Sequence, residues 1–338
     1  MTLRGVTAAL LLTIAWPALA QEKRYAAPRT PWGHPDLQGV WTSDDARTVP
    51  LQRPVELGDR RLLTDEEFEA RKRRDDETRG DVRVAAGTFV GEVGTRSLRQ
   101  TSLVVSPANG RVPARTPAAD QRMAAIAKGV NPLLPRSWDD RSLFERCISR
   151  GPLAALPTLY GNGLRIVQSP TAVVISHEMI HEARIIPIDG RAPVSAALKS
   201  HMGYSTGRWD GDTLVIETSG FTDRTAIAGT RHSEKLKVVE RLTRVSNDTV
   251  SYEATVSDSE TWTAPFSVSV PLSTQPGYDV FPYECHEGNN ALRNMLSAAR
   301  AEEQVIDEYV RKGLPPPPLA RPGDADILPP DPSFGRRR

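Results

Sequence analysis

The sequence has little of several features that commonly reveal a function. Only two of its 338 residues are cysteine, too few for a scaffold of several disulfides or a zinc site with four thiolates. Positive and negative side chains balance, at 43 Lys and Arg against 42 Asp and Glu, so nucleic acid is not an expected partner. The chain has no P-loop, no nucleotide-binding glycine fingerprint and no G-x-S-x-G elbow. What remains is a globular composition, with 39% hydrophobic and 25% charged residues.

An export signal is predicted at the N-terminus. Arg4 precedes an apolar stretch at 6–16, and residues 18–20 give an A-x-A cleavage pattern before Gln21. That stretch is too short to span a bilayer comfortably, and no later stretch approaches the ~20 apolar residues of a spanning helix. We therefore expect a signal peptide at 1–20, no membrane span after its cleavage, and a periplasmic or secreted protein.

Export also predicts the state of the two cysteines. Disulfides form and persist in oxidising compartments, so Cys147 and Cys285 are expected to pair. Their bond would join the segment before the main block of strands to the segment after it. We expect it to stabilise the fold and to have no catalytic role.

Alternation of apolar and polar residues predicts that the chain is mainly β. Residues 236–242, 250–256 and 262–270 each alternate with period two, as half-buried antiparallel strands do. Gly211, after an aspartate, predicts a hairpin turn, and 291–312 has the apolar stripe of one amphipathic helix. The predicted organisation is a signal peptide at 1–20, an N-terminal extension at 21–150, an antiparallel barrel at 151–288, a C-terminal helix at 289–313 and a Pro-rich tail at 314–338. Within the extension we expect a first strand near 36–42 and two short helices near 64–76 and 118–128.

Two short motifs resemble those of lipocalin-like (calycin) barrels. Residues 36–41, D-L-Q-G-V-W, are similar to the G-x-W opening strand of such barrels, and 207–215 are similar to a hairpin of their second half. The stretch 145–289 more closely resembles a large family of exported bacterial proteins without a settled activity. The resemblance implies an antiparallel lipocalin-like β-barrel and no particular reaction. More than a hundred residues separate the first G-x-W from the main strand block, a departure from the lipocalin pattern.

The segment His177-Glu178-Met179-Ile180-His181 is a literal H-E-x-x-H motif. Zinc peptidases need this spacing on a helix, where both imidazoles bind one metal. Here β-branched residues flank the motif, which favours a strand, and residues four apart on a strand lie about 13 Å from each other. We therefore predict a strand that directs His177 and His181 inward and Glu178 and Arg184 outward, and keep a zinc site on His177 and His181 as the alternative.

Glu240 is expected to face the same interior, because it alternates with apolar neighbours. A buried carboxylate needs a proton or a cation, so Glu240 is predicted either to pair structurally with an arginine or to act as an acid/base group beside His177 or His181. Residues 283–289, Y-E-C-H-E-G-N, are expected either to close a barrel mouth and present Glu284 or His286, or to cap the following helix.

These residues predict an exported barrel with a small-molecule pocket and acid/base chemistry, as in a lyase, isomerase or hydrolase, without a cofactor. A non-catalytic binder of small ligands is the first alternative, and an H-E-x-x-H zinc hydrolase is the weaker one. The sequence does not predict the oligomeric state. The predicted catalytic residues are His181, His177, Glu240 and Glu178, and the predicted substrate-binding residues are Arg184, Tyr252, Trp262, Trp209, Glu284 and His286.

Overall fold

A computed structural model describes residues 25–84, 94–129, 134–192 and 197–318, so the predicted signal peptide and most of the Pro-rich tail lie outside the described residues. The strands are β1 Gly39–Thr42, β2 Val104–Ser106, β3 Gly163–Gln168, β4 Ala172–His177, β5 Ala183–Pro187, β6 Tyr204–Asp210, β7 Thr213–Ser219, β8 Ala226–Ile227, β9 Thr230–Arg231, β10 Lys237–Ser246, β11 Thr249–Ser257 and β12 Phe266–Ser273. The helices are α1 Asp65–Val84, α2 Pro117–Gly129 and α3 Ala291–Arg311.

The strands form one antiparallel sheet that curls into a nearly closed barrel, as predicted. Its order is β5-β4-β3-β1-β12-β11-β10-β7-β6, with β2 added to β12, while β8 and β9 make a separate small hairpin. The two end strands, β5 and β6, pack against each other without a ladder of backbone hydrogen bonds between them in the described chain. A Cβ at Gly207 would lie 2.9 Å from side-chain atoms of Ile186 and Ile188. Glycine at this position therefore allows β6 to approach β5.

The interior of the barrel is filled by the side chains that the predicted alternation directs inward. On β10 and β11, every second side chain is buried, including Val238, Leu242 and Ala254. Trp41 belongs to the same core, although it lies far from the main strands in sequence, because β1 pairs with both β3 and β12. Its indole Nε1 donates a hydrogen bond of 2.9 Å to the carbonyl of Leu37.

The helices begin near their predicted positions. Thr64 precedes α1 and accepts a hydrogen bond from the Glu67 amide, while the Glu67 carboxylate accepts one from the Thr64 amide, the reciprocal pattern of a capping box. The 20 residues of α1 make it longer than the short helix predicted near 64–76. The predicted C-terminal helix is present as α3. Within the described ranges, no helix is long and apolar enough to cross a membrane.

Candidate functional site

The H-E-x-x-H segment forms the end of a strand followed by a tight turn. β4 ends at His177 and β5 begins at Ala183. Ile180 and His181 have φ angles of 68° and 54°, a left-handed conformation that an α-helix does not contain. The helical spacing that a zinc peptidase requires is therefore not formed. Throughout the described part of the chain, no group of three His, Cys, Asp or Glu side chains is placed to hold a metal ion.

The same turn corrects the prediction of one strand with both histidines inward. His177 is buried, but His181 lies beyond the turn and its side chain is 51% exposed. On β5 the alternation is the reverse of the predicted one, because Arg184 points inward and Ile185 is 69% exposed. The turn has no Gly, Pro, Asn or Asp to signal it, so the pattern of apolar residues alone suggested a continuous strand.

An ion pair crosses the barrel interior. Arg184 on β5 donates hydrogen bonds of 2.6 and 2.8 Å to the two carboxylate oxygens of Glu240 on β10. The hydroxyl of Tyr252 on β11 donates a third, of 3.0 Å, to the same carboxylate. Arg184, Glu240 and Tyr252, with His177, are called here the buried polar cluster. Glu240 faces inward as predicted, and Arg184, predicted to face outward, is its partner.

Burial and charge act in opposite directions on this ion pair. Burial lowers the pKa of Arg184, but the adjoining Glu240 carboxylate more than offsets it and the pKa is raised. For Tyr252, burial first and the Glu240 charge second raise the pKa well above its usual value, so the phenol stays protonated and continues to donate. With both carboxylate oxygens occupied, Glu240 serves as the counter-ion of Arg184.

His177 is buried beside this ion pair without a polar partner. Neither of its ring nitrogens makes a hydrogen bond to the described residues, and Arg184 Nε likewise lacks one. Burial is the main reason that the pKa of His177 lies well below its usual value, and the charges of Arg184 and Arg150 lower it further. The imidazole is therefore neutral at pH 7 and is a poor proton acceptor.

This burial predicts that His177 makes the fold sensitive to acid. The unfolded chain binds a proton at His177 near pH 6.5, whereas the folded chain does not, so stability is full above that pH and falls as the pH drops through it. Between pH 7.5 and pH 5.0 the free energy of unfolding should fall in both proteins. We expect the fall in His177→Leu to be smaller than that in the wild type by about 1–2 kcal/mol, as measured by urea unfolding.

A neutral neighbour on the same strand provides the control. Ile175→Val removes one buried methylene and should cost about 0.5–1.5 kcal/mol equally at both pH values. An acid-induced loss in His177→Leu as large as that of the wild type would contradict the burial of an uncharged imidazole.

The turn between β4 and β5 brings several predicted residues to one end of the barrel. Glu178, predicted to face outward, is 5% exposed and accepts a hydrogen bond from the hydroxyl of Tyr278. His181 Nε2 lies 3.9 Å from Glu284 Oε1, so the turn and the 283–289 segment meet, with the Glu284 side chain 63% exposed at the barrel end. Glu182, which was not among the predicted site residues, accepts hydrogen bonds from Ser149 Oγ and the Arg150 amide. Burial raises the pKa of Glu182.

The predicted disulfide is present and borders a cleft. Cys147 and Cys285 are bonded, with their Cα atoms 5.8 Å apart. Beside them is a cavity of about 440 Å³, called here the disulfide cleft. It is lined by Phe144, Glu145, Cys147, Tyr160, Ile180, Pro282, Tyr283, Glu284, Cys285, Asn289, Ala291 and Met295.

Two phenol groups meet in the disulfide cleft. The hydroxyls of Tyr160 and Tyr283 are 3.2 Å apart, and their rings are tilted with centroids 5.9 Å apart. Burial, and then the hydrogen bond to Tyr160, raise the pKa of Tyr283 to about 12. The sequence reasoning missed both tyrosines, since Tyr160 lies in a loop without a recognisable pattern and only Glu284 and His286 were selected near Tyr283.

The remaining predicted binding residues lie apart from this cleft. Trp262 is buried and packs edge-on against Phe266, with ring centroids 5.3 Å apart. Trp209 is half-buried against the ring of His34, and Tyr252 belongs to the buried polar cluster. His286 is exposed two residues from Glu284. The structure therefore separates the predicted residues into an interior group and a group at the barrel end.

The fold and this cleft define a mainly β protein with a nearly closed antiparallel barrel, an architecture compatible with a lipocalin-like fold. No protein-family model matches the chain, and no curated protein matches it.

Proposed function

We propose that the protein is an exported barrel protein that binds a small molecule in the disulfide cleft. The observation that carries this proposal is the Tyr160–Tyr283 hydroxyl pair set beside the apolar side chains of Phe144, Ile180 and Met295, since small-molecule sites combine apolar surface with a few converging polar groups. The volume of about 440 Å³ lies within the usual range for such sites. Export is supported by the leader-like sequence of 1–20 and by the disulfide.

The lining favours an uncharged or cationic ligand. Glu284 contributes negative charge, the Glu145 carboxylate is paired with Arg141, and no lysine or arginine is among the described residues that line the cleft. The phenol of Tyr283 is protonated at neutral pH, so the hydroxyl pair presents hydrogen-bonding groups without a charge. An aromatic alcohol or amine matches this combination, whereas an organic anion would meet the Glu284 carboxylate and no lysine or arginine of the lining to bind it.

Filling the disulfide cleft is expected to abolish this binding. Benzyl alcohol and benzylamine should shift the ¹³C-methyl NMR signal of Met295, and Ala291→Trp should remove the shift because the indole would occupy the cleft. Ala301→Trp is the matched control, since Ala301 is exposed on the same helix and does not line the cleft. Equal shifts in both variants, or a larger shift of the Met295 signal with benzoate than with benzylamine, would refute the proposal.

An acid/base enzyme without a metal, of the lyase, isomerase or hydrolase type, is the second candidate function. The observation in its favour is the His181–Glu284 pair at the edge of the same cleft, where an accessible imidazole lies 3.9 Å from a carboxylate. Such a pair has the composition of a general-base site in which the acid orients the histidine. Glu240 is less suited to this chemistry than predicted, because Arg184 and Tyr252 occupy its oxygens.

The enzyme candidate is tested with 4-nitrophenyl acetate, a general probe of reactive imidazoles. We expect His181→Ala to reduce the protein-dependent hydrolysis at least tenfold and Glu284→Gln to reduce it several-fold. His201→Ala should leave the rate unchanged, because His201 contacts Thr222 and does not line the disulfide cleft. If all three variants hydrolyse the ester alike, the reactivity belongs to ordinary surface groups and the His181–Glu284 pair is not a hydrolytic site.

A further inference from the structure

A second cavity at the barrel end has a charge opposite to that of the disulfide cleft. It has a volume of about 330 Å³ and lies between the 139–150 segment and the residues around β8 and β9. Five arginines line it: Arg141, Arg146, Arg150, Arg224 and Arg231. We call it the arginine cavity. Two aspartates, Asp139 and Asp140, are the carboxylates among the residues that line it.

Three of the five guanidinium groups are engaged by the protein itself. Arg141 pairs with Glu145, and Arg150 donates to the carbonyls of Leu156 and Gly161. Arg231 Nε donates to the carbonyl of Asp223. These contacts fix the side chains in place, as a preformed binding site requires.

The other two guanidinium groups lack an acidic partner. Arg146 stacks over the ring of Trp138 at 4.3 Å, which leaves its N–H edges available. Arg224 is exposed and makes no hydrogen bond or ion pair to the described residues. Burial is the main reason that the pKa of His201 is lowered, and the charges of Arg224 and then Arg146 lower it further. Both guanidinium groups therefore lie near His201. Guanidinium groups bind carboxylate and phosphate oxygens in a bidentate geometry.

Part of the remaining wall of the arginine cavity is apolar. Ile126, Leu143 and Phe144 line it, and its serine hydroxyl groups are already committed. Ser142 and Ser149 donate to Glu145 and Glu182. An ion that is only charged, such as free phosphate, would leave these apolar surfaces uncovered, whereas a ligand with an apolar group would bury them.

From this combination we infer a second ligand site, in which Arg146 and Arg224 bind the carboxylate or phosphate of a small organic anion whose apolar part rests on Ile126, Leu143 and Phe144. The site is independent of the disulfide cleft. The two cavities select opposite charges, and each has its own lining apart from Phe144.

Titration calorimetry of the purified protein with benzoate, phenyl phosphate and inorganic phosphate tests the site. We expect phenyl phosphate to bind at least tenfold more tightly than inorganic phosphate, and Arg224→Gln and Arg146→Gln each to weaken phenyl phosphate and benzoate binding at least tenfold. Equal affinities for the two phosphates would overturn the assignment of an organic ligand. Wild-type affinity in both variants would overturn the site.

Two control variants separate binding in the arginine cavity from binding elsewhere on the protein. Arg208→Gln removes an exposed arginine that pairs with Glu217 on the barrel wall, so an unchanged affinity shows that general surface charge is not responsible. Ala291→Trp fills the disulfide cleft and should leave phenyl phosphate binding intact. Loss of binding in either variant contradicts the inference, while the benzylamine experiment still decides the proposed function separately. Unchanged thermal unfolding of Arg224→Gln, expected for an exposed side chain, confirms that its weaker binding is local.

Discussion

Glu240→Gln is expected to lower the free energy of unfolding by about 3–5 kcal/mol, because it leaves the buried charge of Arg184 without its counter-ion. Arg184 is 7% and Glu240 1% exposed, so water cannot replace the lost carboxylate. The amide can still accept one hydrogen bond, but it cannot balance the guanidinium charge. Urea unfolding followed by circular dichroism measures the loss.

A second arginine–glutamate pair on the same barrel provides a matched control. Arg208 on β6 and Glu217 on β7 also join two strands, but their side chains are 61% and 56% exposed. Water and salt screen this pair, so Glu217→Gln should change stability by less than about 0.5 kcal/mol. Comparable losses in Glu217→Gln and Glu240→Gln would show that burial does not govern the strength of the Arg184–Glu240 pair.

Removing both charges tests whether the ion pair contributes net stability. In Arg184→Met with Glu240→Met, no buried charge remains in the pair, and we expect the double variant to be at least about 2 kcal/mol more stable than Glu240→Gln alone. The hydroxyl of Tyr252 then loses its acceptor, so Tyr252→Phe in the same background should recover a further fraction. A double variant at least as stable as the wild type would mean that the ion pair contributes no net stability to the fold.

The strands, and the inward direction of Glu240, could be predicted from the sequence because they depend on a local property. Alternation with period two places Val238, Glu240 and Leu242 on one face whatever their partners are, and all three are buried. The turn at Gly211 also depends on a local property, because an Asp-Gly pair between two strands favours a tight hairpin turn. Gly211 has the positive φ, 59°, that such a turn requires.

The partner of Glu240 could not be predicted, because it depends on how the sheet closes. Arg184 and Glu240 are 56 residues apart and meet only because β5, one end of the sheet, returns to β6 near β10. The direction of Arg184 also depends on the turn after His177, which reverses the alternation without a sequence signal. The His181–Glu284 contact and the arginine cavity likewise combine segments that are distant in sequence.

Replacing Cys147 and Cys285 by serine is expected to destabilise the protein by about 2–5 kcal/mol. The bond joins residues separated by 138 positions, and closing so long a loop removes much of the conformational entropy of the unfolded chain. It also attaches the 283–289 segment to the barrel end, where Tyr283 and Glu284 line the disulfide cleft. We therefore expect the double variant to lose benzylamine binding under conditions in which the barrel remains folded.

Reduction of the wild-type protein provides the control for this prediction. Reduction should lower the urea midpoint of the wild type to that of the double variant and leave the variant itself unchanged, since both then lack the same cross-link. Phenyl phosphate binding should persist in the variant if the arginine cavity depends on the barrel end and not on the disulfide. A double variant that kept the wild-type urea midpoint and benzylamine affinity would show that packing alone holds the 283–289 segment. Contacts that form without the bond would then offset the larger conformational entropy of the unfolded chain.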